Sequence, residues 1–130
     1  MNVKIDTKEK FTVITATEAD ISANMTGRLA EMLLPRISLD IPHVVLNMKE
    51  VKIISDEAAE MIADLQQQFY EQNVSFIVCE LQNEVKAVFD RLELTDVMNI
   101  TPTESEAWDI VQMEEIEREI MGGFDNGAEA

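Results

Sequence analysis

A single cysteine, a single histidine and four glycines serve all 130 residues, and each scarcity removes a class of chemistry. Cys79 alone cannot form an internal disulfide, which fits a reducing compartment. Its place in the apolar run VSFIVC marks it as a buried thiol rather than a nucleophile. His43 is the only imidazole, so no Ser-His-Asp or Cys-His system has an evident base. Standing just before a strand, it reads as a surface residue. Three of the four glycines fall after residue 121, which leaves no G-x-x-x-x-G-K-[ST] or G-x-G-x-x-G phosphate loop. One Cys and one His argue against zinc, and the acids lack EF-hand spacing. The expectation is a protein that is not an enzyme, with no catalytic residue, no metal and no cofactor.

Basic residues are scarce as well: 10 Lys and Arg face 26 Asp and Glu, a net charge of −16. With no basic cluster to neutralise phosphates, nucleic acid is not an expected partner, and anionic membrane surfaces are disfavoured too. Apolar runs such as Val44–Leu46 and Phe76–Cys79 are far too short to cross a bilayer, so direct membrane insertion is not expected. MNVKIDTKEK has no apolar h-region, so we expect no signal peptide and a cytoplasmic location. Residues 103–130 carry nine acids against Arg118 alone, half of the charge excess. Such a surface favours solubility and is compatible with a basic protein partner.

What is present is enough apolar sequence, 46%, for one real core. NVKID and FTVITAT alternate like two half-buried strands joined through TKEK. ISANMTGRLAEMLLPRI then reads as a helix starting near Ile21, with Pro35 marking its end. HVVLNM is a continuous apolar strand, after which Ala58, Met61, Ile62, Leu65 and Phe69 fall on one helical face opposite Glu60, Asp64 and Gln67. VSFIVCE is a further strand, NEVKAVFDRL a further helix, and VMNIT a short last strand. In TESEAWDIVQMEEIEREIM, Thr103 and Glu106 have capping-box spacing. The eight methionines read mostly as adaptable core filling. Strands alternating with helices predict an α/β fold: a mixed, mostly parallel sheet of about five strands packed with about four helices. One domain over 1–121 is expected, followed by a disordered acidic tail over 122–130.

In such sheets function gathers at the carboxyl ends of strands, and there the chain places Ser55, Asp56 and Glu57. An aspartyl-phosphate site would need further carboxylates and a lysine, for which Asp20 is a thin candidate. As structure, Ser55 or Asp56 caps the next helix, and the acids suit its positive end.

HVVLNMKEVKII, the preceding TEAD (Thr17–Asp20) and VSFIVCELQNEVKAVFDRLELTDVMNI together resemble the STAS domain of bacterial anti-sigma-factor antagonists over nearly the whole chain. That resemblance implies a single STAS-like domain acting by docking, with an anti-sigma factor or related serine-kinase-like protein as partner. It places the partner surface on Glu18, Asp20, Ser55, Asp56, Glu57, Glu60 and Asp64. The family's phosphorylatable serine, in a DSSG turn, falls on Asp56, or on Glu57 if the alignment slides by one residue; the turn glycine becomes Ala58 or Ala59. An acid therefore replaces the switch serine either way, with Ser55 its neighbour. Asp56 can then be a fixed negative charge resembling phosphoserine or part of the helix start, and the two are compatible. STAS-like accessory subunits of membrane transporters, such as lipid-transport ATPases, are the alternative reading.

Overall fold

The computed structural model describes residues 1–129, with side chains through Met121, so the tail expected over 122–130 lies outside the fully described residues. Strands β1 (Val3–Thr7) and β2 (Thr12–Ala16) form an antiparallel hairpin at one edge. β2 pairs in parallel with a later strand (Val44–Asn47), which pairs with Phe76–Cys79, which pairs with Ile100–Thr101. Counting a short strand β3 (Asp20–Ile21) and its partner β5 (Ile53–Ile54), these three are β4, β6 and β7, and the main sheet runs β1-β2-β4-β6-β7. The helices are α1 (Thr26–Leu33), α2 (Asp56–Glu71), α3 (Asn83–Arg91) and α4 (Glu104–Glu129).

The mixed, mostly parallel sheet with four helices is the α/β architecture expected from the alternating pattern. Because successive strand residues point to opposite faces, the central strands feed two layers. Ile14, Leu46, Phe76 and Val78 pack with α1, α2 and α3, whereas Val13, Val45, Ile77 and Cys79 pack with Ala107 and Val111 of α4. β4 and β6 are buried at every position, which is why they read as continuous apolar runs. Phe69 meets Phe76 edge-on with centroids 4.9 Å apart at the centre of the larger layer. Trp108 of α4 is half-buried, its ring against Phe11 at 5.1 Å.

One local expectation needs correction. Ile21 does not start a helix: it lies in β3 opposite Ile54, and α1 begins at Thr26 after a 3₁₀ turn. Apolar spacing alone could not separate these, because a two-residue strand has no period to read. α2 and α3 both end without glycine. Asn73 and Glu93 take the left-handed conformation (φ 59° each), so that Val74 N–H reaches Phe69 O at 2.9 Å and Leu94 N–H reaches Phe89 O at 2.9 Å. This closes the helix ends by the Schellman pattern. The capping-box spacing is half realised, since Thr103 Oγ1 accepts Glu106 N–H at 3.2 Å while Glu104 N–H turns to Glu80 Oε2 at 2.8 Å.

Candidate functional site

The start of α2 sits beyond the carboxyl end of β4. Ser55 has extended backbone and its Oγ accepts Ala58 N–H at 3.1 Å, so of the two candidate caps the structure selects Ser55. Asp56 and Glu57 occupy the first turn, where the helix dipole favours negative charge. Asp56 gives both carboxylate oxygens to Arg91, the last residue of α3: Nη1 donates to Oδ2 at 3.2 Å and Nη2 to Oδ1 at 2.5 Å. This two-point bond holds the Asp56 carboxyl below the usual carboxylate range. Both side chains remain open to solvent, 58% for Arg91 and 45% for Asp56, so the pair is a surface feature that water and salt weaken. Ala58 and Ala59 are fully buried within the helix, and among the described residues the non-glycine positive-φ positions are Asn73, Glu80 and Glu93. The turn therefore makes no demand for glycine.

The β3–β5 ribbon brings a second part of the expected surface here. Asp20 pairs with Ile53, Ile21 with Ile54, and Ser55 N–H donates to Ile21 O at 2.9 Å. Lys52 and Ile53 N–H both reach Ala19 O, at 2.7 and 3.0 Å. Asp20 and the Ser55 turn are thus held side by side, although 35 positions separate them. Glu18 is tied elsewhere, accepting Asn2 N–H at 3.0 Å. Glu57, Glu60 and Asp64 are exposed along α2, at i, i+3 and i+7. Next to Asp64, a groove of about 450 Å³ runs between α2 and the 94–99 segment and is lined by Gln67, Val97 and Met98. Sequence reasoning missed Arg91, exposed Ile53 and exposed Val97. Arg91 offered only a basic residue near a helix end, and its partner is set by how α3 crosses α2.

The opposite end of the sheet is differently built. Glu114 of α4 accepts from Tyr70 Oη (2.7 and 3.0 Å) and from Ser75 Oγ (2.7 Å), while Asn99 Nδ2 donates to Tyr70 Oη at 2.6 Å. Gln66, buried in α2, donates to Phe76 O (2.7 Å) and Asn99 O (3.0 Å) and accepts Asn99 N–H at 2.9 Å. Burial and the Glu114 bond raise the Tyr70 phenol above its ordinary range. His43 is not the surface residue expected: it is half-buried, and its Nδ1 accepts Ser75 N–H at 3.0 Å. Burial first, then nearby Arg118, lowers its pKa, against the opposing pull of Glu115 and Glu114. Cys79 is fully buried, and burial, with Glu104 and Glu80 nearby, pushes its thiol up to about 12. Among the described residues no group of acids, His and Cys has the arrangement of a metal site. No helix among them is long and apolar enough to cross a membrane.

The profile described as STAS domain matches residues 2–107. The chain belongs to the STAS domain family. Its STAS fold is shared with an anti-sigma-factor antagonist (STAS) domain protein from Planctomyces limnophilus, with a TM-score of 0.72 and 16% identity, covering 85% of this chain and 97% of that one. The anti-sigma factor antagonist SpoIIAA of Bacillus, in its unphosphorylated form, gives 0.67 and 14%, covering 85% of this chain and 96% of its own. A murine solute carrier 26 family member A9 anion transporter gives 0.66 and 12%, covering 80% of this chain but 18% of the transporter. At these identities the likeness is one of fold. No curated protein matches the chain. The STAS match ends at Ala107, inside α4, so most of that helix lies beyond it.

Proposed function

We propose that this STAS domain is a non-enzymatic regulatory module that docks an anti-sigma factor or related serine-kinase-like protein in the cytoplasm. Docking uses the start and outer face of α2 (Ser55, Asp56, Glu57, Glu60, Asp64) and the Glu18–Asp20 turn. Asp56 stands at the switch position, and its Arg91 pair is the observation that carries the reading. A phosphoserine there would bring about −1.5 to −2 charges to the interface. Asp56 and Arg91 together bring none, so the helix start resembles the unphosphorylated state and the module stays competent to bind. Ser55 is a poor phosphate acceptor, because its hydroxyl oxygen is committed to capping the helix, accepting Ala58 N–H.

Titrating the parent, Asp56→Ser and Arg91→Gln against a purified anti-sigma kinase, with and without ATP, tests this. The parent should bind equally with and without ATP. Asp56→Ser should bind without ATP and lose about tenfold or more once phosphorylated. Arg91→Gln uncovers the Asp56 charge and should weaken docking. Tighter binding by Asp56→Ser without ATP would mean that the carboxylate opposes docking despite Arg91. Efficient phosphorylation of the parent at Ser55 sinks the permanent-state reading. Binding to the cytoplasmic part of a lipid-transport ATPase, and not to the kinase, favours the transporter-subunit alternative.

A further inference from the structure

Beyond the STAS match, α4 has two apolar faces where the fold needs one. Its inner face is occupied: Ala107 and Val111 are buried against the sheet, and Glu114 is bonded to Tyr70 and Ser75. On the outer side Met113, Ile116 and Ile120 are 58%, 56% and 65% exposed. Single exposed aliphatics are ordinary, but these three are spaced i, i+3, i+7 and form one continuous row. Asp109 continues the row toward the helix start, and Glu117 and Glu119 flank it, all three exposed. None of these acids takes part in an ion pair among the described residues, and the one cation of 103–130, Arg118, lies on the other side of the helix.

An apolar row edged by unpaired carboxylates fits a helix with an apolar stripe edged by Lys and Arg. It does not fit a second copy of this chain, which would set Asp109, Glu117 and Glu119 against the same acids in a molecule of net charge −16. The geometry points to the outer face of α4 as a docking surface for a basic amphipathic helix of another protein, separate from the α2 surface. Met113, Ile116 and Ile120 supply the apolar contact, and the acids supply orientation and salt sensitivity.

The test uses the full chain and a labelled synthetic peptide of about 18 residues, with Leu at helical i, i+3, i+4, i+7 spacing and Lys on its flanks. A scrambled peptide of the same composition is the control. The parent should bind the amphipathic peptide, more weakly as salt rises, and the scrambled one at least about tenfold less well. Ile116→Glu/Ile120→Glu and the uncharged Ile116→Ser/Ile120→Ser should each lose about tenfold or more while keeping the parent's circular dichroism and unfolding midpoint. Glu60→Lys, on α2, should bind the peptide like the parent. Failure of the parent to bind, equal binding of both peptides, or unaltered binding by the isoleucine variants overturns the proposal. So does a parent dimer in sedimentation that the isoleucine variants abolish, or parent association with phosphatidylcholine vesicles that they abolish.

Discussion

At the carboxyl end of the sheet Asp56 shares its carboxylate with Arg91 in open solvent; at the amino end Glu114 takes neutral donors from Tyr70 and Ser75 in a half-buried pocket. Both are helix carboxylates making two or more bonds, yet the surroundings give those bonds different work. Around Glu114 the donors are hydroxyls withdrawn from water, and a hydroxyl that loses its acceptor there keeps its desolvation cost. The bonds therefore fix where α4 lies. Around Asp56 each partner can return to water, so the pair can be rearranged or covered by a partner at little cost to the fold. Under the docking role proposed above, such loosely held charge suits a surface that a partner covers, whereas it would not serve as an anchor.

The sharpest way to break this contrast is to remove the anchor. Glu114→Ala strands Tyr70 Oη and Ser75 Oγ and should cost roughly 2–3 kcal/mol in urea unfolding. If it unfolds like the parent, the amino-end network is ornamental and the distinction fails. Ser55→Ala, which removes the Ala58 cap but touches no ion pair, should cost about 1 kcal/mol by the same measurement.

His43 sharpens the contrast through pH. Its folded pKa lies below the ordinary 6.5, so the unfolded chain takes up a proton first as pH falls. The stability it contributes is fully present above about 6.5 and is lost as pH falls through the lower folded pKa. Against His43→Asn, whose amide oxygen can still accept Ser75 N–H without titrating, the parent's unfolding midpoint should drop only in that acid window. A constant difference across pH would remove His43 from the pH response. The smallest effect belongs to Asp56→Ser, whose unfolding midpoint should stay with the parent's at neutral pH; a large drop would make the Asp56–Arg91 pair an anchor after all.

The apolar periods in the chain were enough to read the sheet and the helices. Val44–Asn47 and Phe76–Cys79 are buried on both faces and so appear as unbroken apolar runs, while Ala58, Ile62, Leu65 and Phe69 repeat with the helical period. The acids at the start of α2 were legible for a similar reason, since caps and first-turn carboxylates act within a few residues. Within that window the sequence left Ser55 and Asp56 as rival caps, and only Ser55 Oγ's bond to Ala58 N–H separated them.

Everything decided by contacts between distant positions was out of reach. Gln66 is polar by type, yet its amide is buried against Phe76 and Asn99. His43 looked like a surface residue because Ser75 comes 32 positions later. The β3–β5 ribbon, two residues on each strand, has too few positions to show alternation, and its Ile21 and Ile54 meet in the core only in the folded chain. Composition and period determined which faces of this STAS domain must be buried, because hydrophobic burial is non-directional and leaves its mark residue by residue. The partners of Asp56, Glu114 and His43 were decided only by the tertiary structure, because a hydrogen bond or ion pair needs its two groups within about 3 Å, and only the folded chain sets that distance.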